Sequence, residues 1–281
     1  MDSMVFLAVL VAAAFHAGWN ALLKLRLEPM IAIALISALG GLVTLPLAAV
    51  ADAPQPAAWG YLAASLAIHL VYYLALTEAY RLGDLGQVYP IARGSAPLLT
   101  ALITTVWLGD RLGLAGWVGI GVLGSAILML AVWGSRERGR FDGRTVGFAV
   151  LTAVAIASYT VVDGIGARLA GSALGYIVWL MVLDGAMMLI FGWFWAGGRL
   201  LTDLRGNWVT VLAGGALSVT AYGIVIWAMT VAPIALVAAL RETSVLFAAL
   251  IGIVVLREPV RASRLLAAAL AVVGVLLIRF R

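Results

Sequence analysis

The chain contains no cysteine, and it is poor in charge for its length. Only 11% of its 281 residues are charged, whereas 64% are hydrophobic. The absence of cysteine excludes disulfides, thiolate metal sites and cysteine nucleophiles. The low charge content excludes an ordinary soluble domain, in which about a quarter of the residues are charged. The low charge and the high apolar content together point to a membrane protein.

Several sequence signatures are also missing. There is no Walker A loop, which excludes a P-loop ATP-driven pump, and neither H-E-x-x-H nor G-x-S-x-G occurs, so two common hydrolase signatures are absent. The formal net charge is +5, but no motif interleaves basic and aromatic residues as in nucleic-acid binding. We therefore expect no enzyme activity, no metal or other cofactor and no nucleic-acid partner. The basic balance suits contact with the anionic headgroups of a lipid bilayer.

Apolar runs of helix length recur from one end of the chain to the other. Most are about twenty residues long, which is the length that crosses ~30 Å of hydrocarbon as a helix. The first run lacks a basic leading region and a small-residue cleavage site, so it is expected to be a retained span. The sequence predicts an all-α membrane protein with ten transmembrane helices near 4–23, 30–50, 59–82, 85–108, 115–133, 146–167, 173–195, 208–230, 233–256 and 264–280.

The two halves of the chain resemble each other. Residues 93–110, RGSAPLLTALITTVWLGD, align without a gap on residues 241–258, RETSVLFAALIGIVVLRE, and match at 7 of 18 positions. A second similarity between the halves pairs His16-x-x-x-Asn20 with Tyr159-x-x-x-Asp163. The recurrence of an arginine at the head and an acid at the tail of the aligned segment indicates an internal repeat.

The longest polar interruption falls almost midway along the chain, at residues 134–145. It predicts a first five-helix repeat over 1–134, a central polar loop over 135–145 and a second five-helix repeat over 146–281. Because each repeat holds an odd number of spans, the second must cross the bilayer in the opposite sense to the first. Inverted-topology repeats of this kind are shared by many secondary transporters.

Three motifs resemble those of the EamA-type ten-helix branch of the drug/metabolite transporter superfamily. They are AFHAGWNALLK at the start, GDLGQVYPIARGSAP with the trailing LGDRL, and the weaker VAPIALVAALRETS with LREPV. The resemblance covers essentially the whole chain and implies a multi-pass transporter of the cell (inner) membrane. The chain departs from the family pattern where GD replaces the usual Gly-Glu after helix four, and where the second repeat lacks the Gly and Pro beside its arginine.

Two criteria predict opposite orientations in the membrane. Basic residues outside the spans number twelve on one side and four on the side that carries the termini. The positive-inside rule would therefore place both termini outside the cytoplasm. The family resemblance implies that both termini are cytoplasmic, so the orientation stays open at this point.

Arg93 is the strongest site candidate, because a charge near the bilayer centre costs at least ~2.5 to 3.5 kcal/mol on insertion scales. Helical spacing places Tyr89 on the same stripe of helix four. Pro90 and Pro97 each remove a backbone hydrogen bond, which predicts a helix bent beside a cavity. Either Arg93 binds an anionic group of a substrate through its planar fork, or it forms a structural ion pair, or it alternates between these two roles during transport. The carboxylates available for such a pair are Glu242, Asp163 and Asp184.

Polar residues on five further spans complete the predicted substrate site. His16 titrates near neutrality, and Asp163 is an acid that can carry a proton, so these two are the candidates for proton coupling; an ordinary hydrogen-bonding role is the alternative for His16. Asn20 either contacts substrate or links helices. The remaining candidates for the cavity lining are His69, Tyr73, Tyr159, Tyr222 and Arg241.

Two of these candidates have specific structural alternatives. The polar and aromatic face of helix three that carries His69 and Tyr73 could serve interhelical hydrogen bonds and an aromatic belt instead of a substrate. Arg241 and Glu242 are adjacent, about 100° apart on a helix. They are therefore not expected to point into one cavity together, and one of them is expected to neutralise a neighbouring helix.

Small residues follow one another at four-residue spacing on helices five and ten. They are Ala115-x-x-x-Gly119 and Gly121-x-x-x-Ser125 on helix five, and Ala267-x-x-x-Ala271 on helix ten. Small residues let helix backbones approach closely. The family resemblance implies that these two helices pack together to join the halves, with a self-association surface as the alternative. A monomer is the working expectation.

These observations predict a secondary active transporter, an exporter or permease, that works by alternating access. The cargo would be a small polar metabolite that bears a carboxylate or phosph(on)ate, such as an amino acid. One alternative is a multidrug or cation exporter that uses Asp163. The other is a non-transporting membrane receptor or scaffold whose buried charges only fix helix packing. The expected partners are the small-molecule substrate and the lipid bilayer.

Overall fold

The computed structural model describes residues 1–23, 27–82, 85–136, 143–254 and 262–280. These residues are mainly helical and contain no strand. A 3₁₀ turn, Leu45–Ala49, extends the second helix. Ten helical spans are present in these ranges, as predicted, and the ninth is divided in two. The helices are α1 (Ser3–Leu23), α2 (Pro29–Thr44), α3 (Pro56–Leu82), α4 (Leu85–Trp107), α5 (Gly113–Arg136), α6 (Gly143–Leu169), α7 (Ala173–Ala196), α8 (Arg199–Val231), α9 (Ile234–Arg241), α10 (Ser244–Val254) and α11 (Ala262–Arg279).

The sequence analysis places the start of the eighth helix too late. α8 begins at Arg199, well before the predicted start at residue 208. Asn207 has φ −135° and ψ 17°, so a kink separates a short first part of the helix from the apolar part. The hydropathy pattern detected only the apolar part, because the first part carries charged residues.

The predicted continuous ninth helix is interrupted after Arg241. The N–H groups of Glu242 and Thr243 bond to carbonyls three residues back, at 3.0 Å in both bonds, which is the tighter 3₁₀ pattern. The hydroxyl of Thr243 also donates to the Leu240 carbonyl at 2.7 Å. A short polar side chain that bonds to the backbone in this way competes with the regular helix, which gives a physical reason for the break.

Seven of the described segments are long and apolar enough to cross a membrane. They are α1, α2 with its 3₁₀ turn, α3, α6, α7, α8 and the joined α9 and α10. Large apolar side chains lie exposed on the outer surface, among them Phe194 at 84% and Trp107 at 80%. Lipid tails suit such an apolar exterior, so composition and exposure both support a multi-pass membrane protein.

The packing of the helices repeats when the two halves are exchanged. α3 packs on α6 as α1 packs on α8, and α4 packs on α6 as α1 packs on α9 and α10. α2 packs on α7 and α5 packs on α11, so each of these pairs joins a helix to its own counterpart. This is the arrangement expected of inverted repeats around an axis in the membrane plane. The predicted boundary falls in the central loop, where residues 137–142 lie outside the described residues, so the exact limits of the halves stay a prediction.

Glycines lie at the contact of α2 with α7 and at the contact of α5 with α11. A Cβ added to Gly41 of α2 would lie 3.0 Å from the Cα of Gly185 in α7. A Cβ added to Gly119 of α5 would lie 2.9 Å from the carbonyl oxygen of Gly274 in α11. The backbones are therefore in direct contact, and the prediction that helices five and ten pack together is confirmed. Gly121, also predicted to pack, has no atom within 4 Å of an added Cβ.

Hydrogen bonds between helix ends hold the bundle together on the face that carries both termini, called here the terminal face. The N–H of Gln55 donates to the Ala170 carbonyl at 3.1 Å. Arg168 donates to the carbonyls of Met229 and Ala232 at 2.9 and 3.0 Å, and so caps the C-terminus of α8. Arg279 donates to the carbonyl of Met1 at 3.0 Å. On the opposite face, Arg199 and Glu28 form an ion pair at 3.3 Å.

Candidate functional site

Five aromatic side chains from three helices meet near the middle of the bundle. The imidazole of His69 stacks on the ring of Tyr159, with centroids 4.2 Å apart and planes inclined by 21°. The ring of Tyr222 meets both of them edge-on at 5.9 Å. Tyr72 and Tyr73 flank this group, with Tyr72 5.6 Å from Tyr159 and Tyr73 6.0 Å from His69. These residues are called the aromatic cluster below.

The spacing of the cluster residues on α3 explains how they come together. His69, Tyr72 and Tyr73 stand at i, i+3 and i+4, so they share one face of the helix. His69 is also the central residue of this 27-residue helix. Its Nδ1 donates to the carbonyl of Ser65 at 2.9 Å, so the ring orientation is fixed within the helix itself. The first half thus presents a rigid aromatic surface to Tyr159 and Tyr222 of the second half.

Arg241 extends from α9 over the aromatic cluster. Its guanidinium carbon lies 5.8 Å from the centroid of Tyr159 and 5.9 Å from that of Tyr222, which is within the range of cation–π attraction. The side chain is only 4% exposed. Its Nε and Nη2 have no hydrogen-bond partner among the described residues. Arg241 is therefore a buried cation with donors still to be satisfied.

Arg93 lies in a different environment from Arg241, although the repeat aligns the two residues. Its Nε is 2.6 Å from Oε2 of Glu242, and its Nη2 donates to the hydroxyl of Ser244 at 3.3 Å. Of the three carboxylates that the sequence offered, Glu242 is the one that pairs with Arg93. The ion-pair interpretation of Arg93 therefore describes this structure, in which the pair joins α4 to the α9–α10 break.

Glu242 lies between the two arginines, and the three residues are called the charge cluster below. Its Oε1 is 3.6 Å from Nε of Arg241, while its Oε2 contacts Arg93. The expectation that Arg241 and Glu242 point to different places needs correction, because the 3₁₀ tightening after Arg241 brings both to one cluster. One of the two was also expected to neutralise a neighbouring helix. Glu242 does so, because it pairs with Arg93 of α4.

Asp163 is fully buried beneath the aromatic cluster, and both of its oxygens are occupied. Tyr176 donates its hydroxyl to Oδ1 at 3.0 Å, and Tyr222 donates to Oδ2 at 2.5 Å. The ring of Tyr176 reaches this position because Gly166 has no side chain; an added Cβ there would lie 2.6 Å from the ring. Tyr222 thus links Asp163 to Arg241, since its hydroxyl contacts the acid and its ring contacts the guanidinium.

Asp184 accepts hydrogen bonds from a tyrosine instead of balancing an arginine as expected. The hydroxyl of Tyr73 lies 3.2 Å from its Oδ2, and the hydroxyl of Ser37 lies 3.5 Å from that of Tyr73. No arginine lies within ion-pair distance of Asp184 in the part of the chain that the structure describes. Tyr73 therefore joins the aromatic cluster to a second, half-buried acid on α7.

The remaining candidates from the sequence lie around these two clusters. His16 accepts a hydrogen bond from Nε1 of Trp19 at 3.2 Å, and it lies within electrostatic range of both Arg93 and Arg241. Asn20 donates to the backbone carbonyl of His16 at 2.8 Å, so its amide is engaged within its own helix. The side chain of Tyr89 lies outside the described residues.

Two residues at the site, Tyr72 in the aromatic cluster and Tyr176 beside Asp163, were not predicted as substrate-binding residues. Tyr72 shares the face of His69 and Tyr73 and could be found from helical spacing alone. Tyr176 stands on the helix after Asp163, across a turn, so no periodicity connects the two. The only sequence signal is the small Gly166 near Asp163. It indicates space for a neighbouring side chain, but it does not indicate which side chain occupies that space.

Comparison with known proteins gives three findings. A model of the EamA-like transporter family matches residues 3–132 and 143–280. The curated protein "Uncharacterized transporter in cobO 3'region" of Sinorhizobium sp is 32% identical over 75 residues, which are 27% of this chain and 52% of that protein. The matched part therefore spans about half the length of this curated relative. A crystal structure described as "Crystal structure of protein" covers 99% of this chain and 96% of its own, with a TM-score of 0.77 and 18% identity, and it shows similarity of fold alone.

Proposed function

Because the chain belongs to the EamA-like transporter family, we propose that it is a secondary active transporter whose cargo carries a carboxylate or phosph(on)ate group. In this proposal a small polar metabolite, such as an amino acid, crosses the cell (inner) membrane by alternating access. The observation that carries the proposal is the guanidinium of Arg241, which is buried against two tyrosine rings. Its Nη2 has no hydrogen-bond partner among the described residues, and its Nε has only the 3.6 Å ion pair with Glu242.

The chemistry of Arg241 supports an anionic cargo. A buried donor without an acceptor costs about 1 to 3 kcal/mol, and a carboxylate or phosphonate supplies acceptors in the planar geometry that guanidinium prefers. The neighbouring rings of Tyr159 and Tyr222 hold the guanidinium in place by cation–π contact. They also offer apolar surface to the rest of the cargo. A binding site built this way is ready for an oxyanion with a compact organic body.

The origin of the cluster residues supports alternating access. His69 and Arg93 come from the first half of the chain, whereas Tyr159, Tyr222 and Arg241 come from the second. A rocking motion of one half against the other would change the contacts between these two groups. A site assembled in this way can be opened to either side of the membrane in turn.

The alternative functions fit the geometry less well. A cation exporter would need Asp163 as its ligand, but both oxygens of Asp163 accept tyrosine hydroxyls and two arginines lie in the same central region. A receptor or scaffold with purely structural charges would explain the pair of Arg93 with Glu242. It would not explain why Nη2 of the buried Arg241 has no hydrogen-bond partner in the part of the chain that the structure describes.

The test is a thermal-shift screen of the purified protein against a few hundred metabolites, repeated on Arg241→Gln. A ligand that binds the folded state raises its apparent stability, so anionic metabolites should raise the melting temperature of the wild type. We expect Arg241→Gln to fold and to lose this shift. Arg81→Gln, which changes an arginine whose side chain is 64% exposed at the membrane edge, is the matched control and should respond like the wild type.

Two outcomes of this screen would contradict the proposal. In one, anionic ligands shift the wild type and Arg241→Gln equally, which would remove Arg241 from the binding site. In the other, no anionic metabolite shifts the wild type while cationic ones do, which would favour the cation exporter.

Proton coupling through Asp163 or His16 is a further part of the proposal. Asp163 contacts Tyr222, whose ring lies under the guanidinium of Arg241, so the charge of the acid would be felt at the cargo site. Counterflow in liposomes should then depend on pH in the wild type, and Asp163→Asn or His16→Gln should reduce that dependence. A flat rate between about pH 5.5 and 8, unchanged by either substitution, would count against coupling through these groups.

A further inference from the structure

The charge cluster contains two cations and one anion in the middle of the bundle. We propose that Glu242 is an internal counter-anion, whose carboxylate holds in the empty carrier the position on the arginines that the anionic cargo takes when it binds. This inference rests on the proposed function and deepens it, because it gives the site a specific competitor and a specific step in the transport cycle.

The two arginines share the carboxylate of Glu242, although together they could bind two carboxylates. Glu242 is 1% exposed, and its two oxygens point to different guanidinia, at 2.6 Å to Arg93 and 3.6 Å to Arg241. Arg93 comes from the first half and Arg241 from the second. The three formal charges sum to +1, and Nε and Nη2 of Arg241 have no hydrogen-bond partner among the described residues. A second anion would therefore complete the cluster, and it would compete with Glu242 for the same donors.

The backbone at Glu242 is suited to a change of side-chain position. Glu242 stands between α9 and α10, where the hydrogen bonds run from residue 242 to 239 and from 243 to 240. A short 3₁₀ stretch within a longer helix often marks a hinge. The carboxylate can thus leave Arg93 by a local adjustment, without the unwinding of a complete helix.

A carrier needs such a counter-anion when it returns empty. Two guanidinia enclosed in a dry interior repel each other and are poorly solvated unless an anion lies between them. In the loaded carrier the cargo supplies that anion, and in the empty carrier Glu242 does. Without Glu242, the loaded forms should still interconvert, while the return of the empty form should become slow.

The first experiment measures binding in the purified protein. The probes are benzoate, phenylphosphonate and inorganic sulfate, with uncharged benzamide as the control ligand. In Glu242→Gln the competitor is gone, so the Kd of the best anionic probe should fall by about tenfold or more, as expected when the binding-competent fraction rises from a small value. Benzamide should bind all proteins equally. Glu78→Gln, which removes a carboxylate paired with Arg81 at 2.5 Å on the surface, is the matched control.

Glu242→Asp provides a second variant in which the charge is kept. Its carboxylate is one methylene shorter and cannot keep the 2.6 Å contact with Arg93, so its Kd should lie between those of the wild type and Glu242→Gln. This variant decides the question if Glu242→Gln does not fold. An unchanged or raised Kd in both variants would overturn the inference. If neither the wild type nor any variant binds these anions, the proposed function itself fails.

The second experiment compares two modes of transport in proteoliposomes, with the anion that binds best in radiolabelled form. Exchange of labelled for unlabelled anion uses only loaded carriers, whereas net uptake requires the empty carrier to return. We expect Glu242→Gln to lose about tenfold or more of net uptake relative to exchange, because only net uptake includes the return of the empty carrier. Equal loss of both modes, or no loss of either, would overturn the inference. A wild type that shows neither mode would overturn the proposed function.

Discussion

Arg93 and Arg241 occupy equivalent positions in the two halves, yet they have different surroundings. Arg93 contacts a carboxylate at 2.6 Å and a hydroxyl at 3.3 Å. Arg241 lies over two tyrosine rings, and its contact with Glu242 is longer, at 3.6 Å. Arg93 thus joins two helices in this structure, and Arg241 is the arginine that we propose binds the cargo. The internal repeat has kept the residue in both places and changed its partners.

The role of Arg93 can be checked by the stability of two variants. Arg93→Gln removes the 2.6 Å ion pair and leaves Glu242 with its longer contact to Arg241, so unfolding should become easier by about 3 kcal/mol, as when a buried ion pair is broken. In the double variant Arg93→Gln/Glu242→Gln, Arg241 is left as a buried cation without a carboxylate, so the loss of stability should be larger than in the single variant. Chemical unfolding in mixed micelles measures both, and equal destabilisation by the single and double variants would contradict this account.

At the level of single residues, the sequence predicted which charges are buried but not how they pair. Arg93, Asp163 and Arg241 stand out because charged residues are rare in apolar helices. The partner of Arg93 could not be derived, since Glu242 lies 149 positions away in the chain and two other acids were equally available. The contact of Tyr176 with Asp163 could not be predicted either, because it depends on how α6 and α7 pack.

At the level of helices, hydropathy was sufficient to locate the spans and insufficient to locate their interruptions. The break after Arg241 involves neither glycine nor proline, so no common breaker marks it. It arises because Thr243 bonds to the Leu240 carbonyl and the chain continues in 3₁₀ geometry. Asn207 similarly kinks α8, and its side chain donates to the carbonyl of Asp203 at 3.0 Å. Both interruptions are made by short polar side chains that bond to the backbone.

The close contact of α5 with α11 makes a prediction about two glycines on one helix. In Gly119→Val, the new side chain meets the carbonyl of Gly274 and the side chain of Ile278, with Cβ distances of 2.9 and 2.8 Å, so the helices must separate. We expect a loss of about 1 to 3 kcal/mol of stability, as for overpacked cores. Gly121→Val is the control on the same helix, because its Cβ meets nothing within 4 Å. Thermal unfolding of the two variants should differ clearly, and similar values would disprove this packing role.

At the level of the whole molecule, charge is distributed unequally between the two faces. Arg168 and Arg279 on the terminal face are engaged in capping carbonyls of the same chain. On the opposite face, Arg81 and Arg199 have side chains 64% and 61% exposed. Both of these arginines form ion pairs, with Glu78 and Glu28 respectively, so the structure adds nothing to the imbalance of basic residues in the sequence. By the positive-inside rule that imbalance predicts a cytoplasmic location for the opposite face.

Because the chain has no cysteine, its orientation can be measured with single introduced cysteines. Ala53→Cys places an exposed thiol on the terminal face, and Thr202→Cys places one on the opposite face. With a membrane-impermeant maleimide on intact cells, we predict labelling of Ala53→Cys and protection of Thr202→Cys. After the cells are lysed both should react. The reverse pattern would place the termini in the cytoplasm, as the family resemblance implies.

The glycine contacts of α2 with α7 and of α5 with α11 have a mechanical consequence. When two equivalent bodies swap conformations, points on the symmetry axis between them are the only ones that need not be displaced. Each of these contacts joins an element to its own counterpart, so each lies on that line. In the alternating-access cycle proposed above, these contacts can stay at backbone distance and act as fulcrums, while the surfaces between them slide.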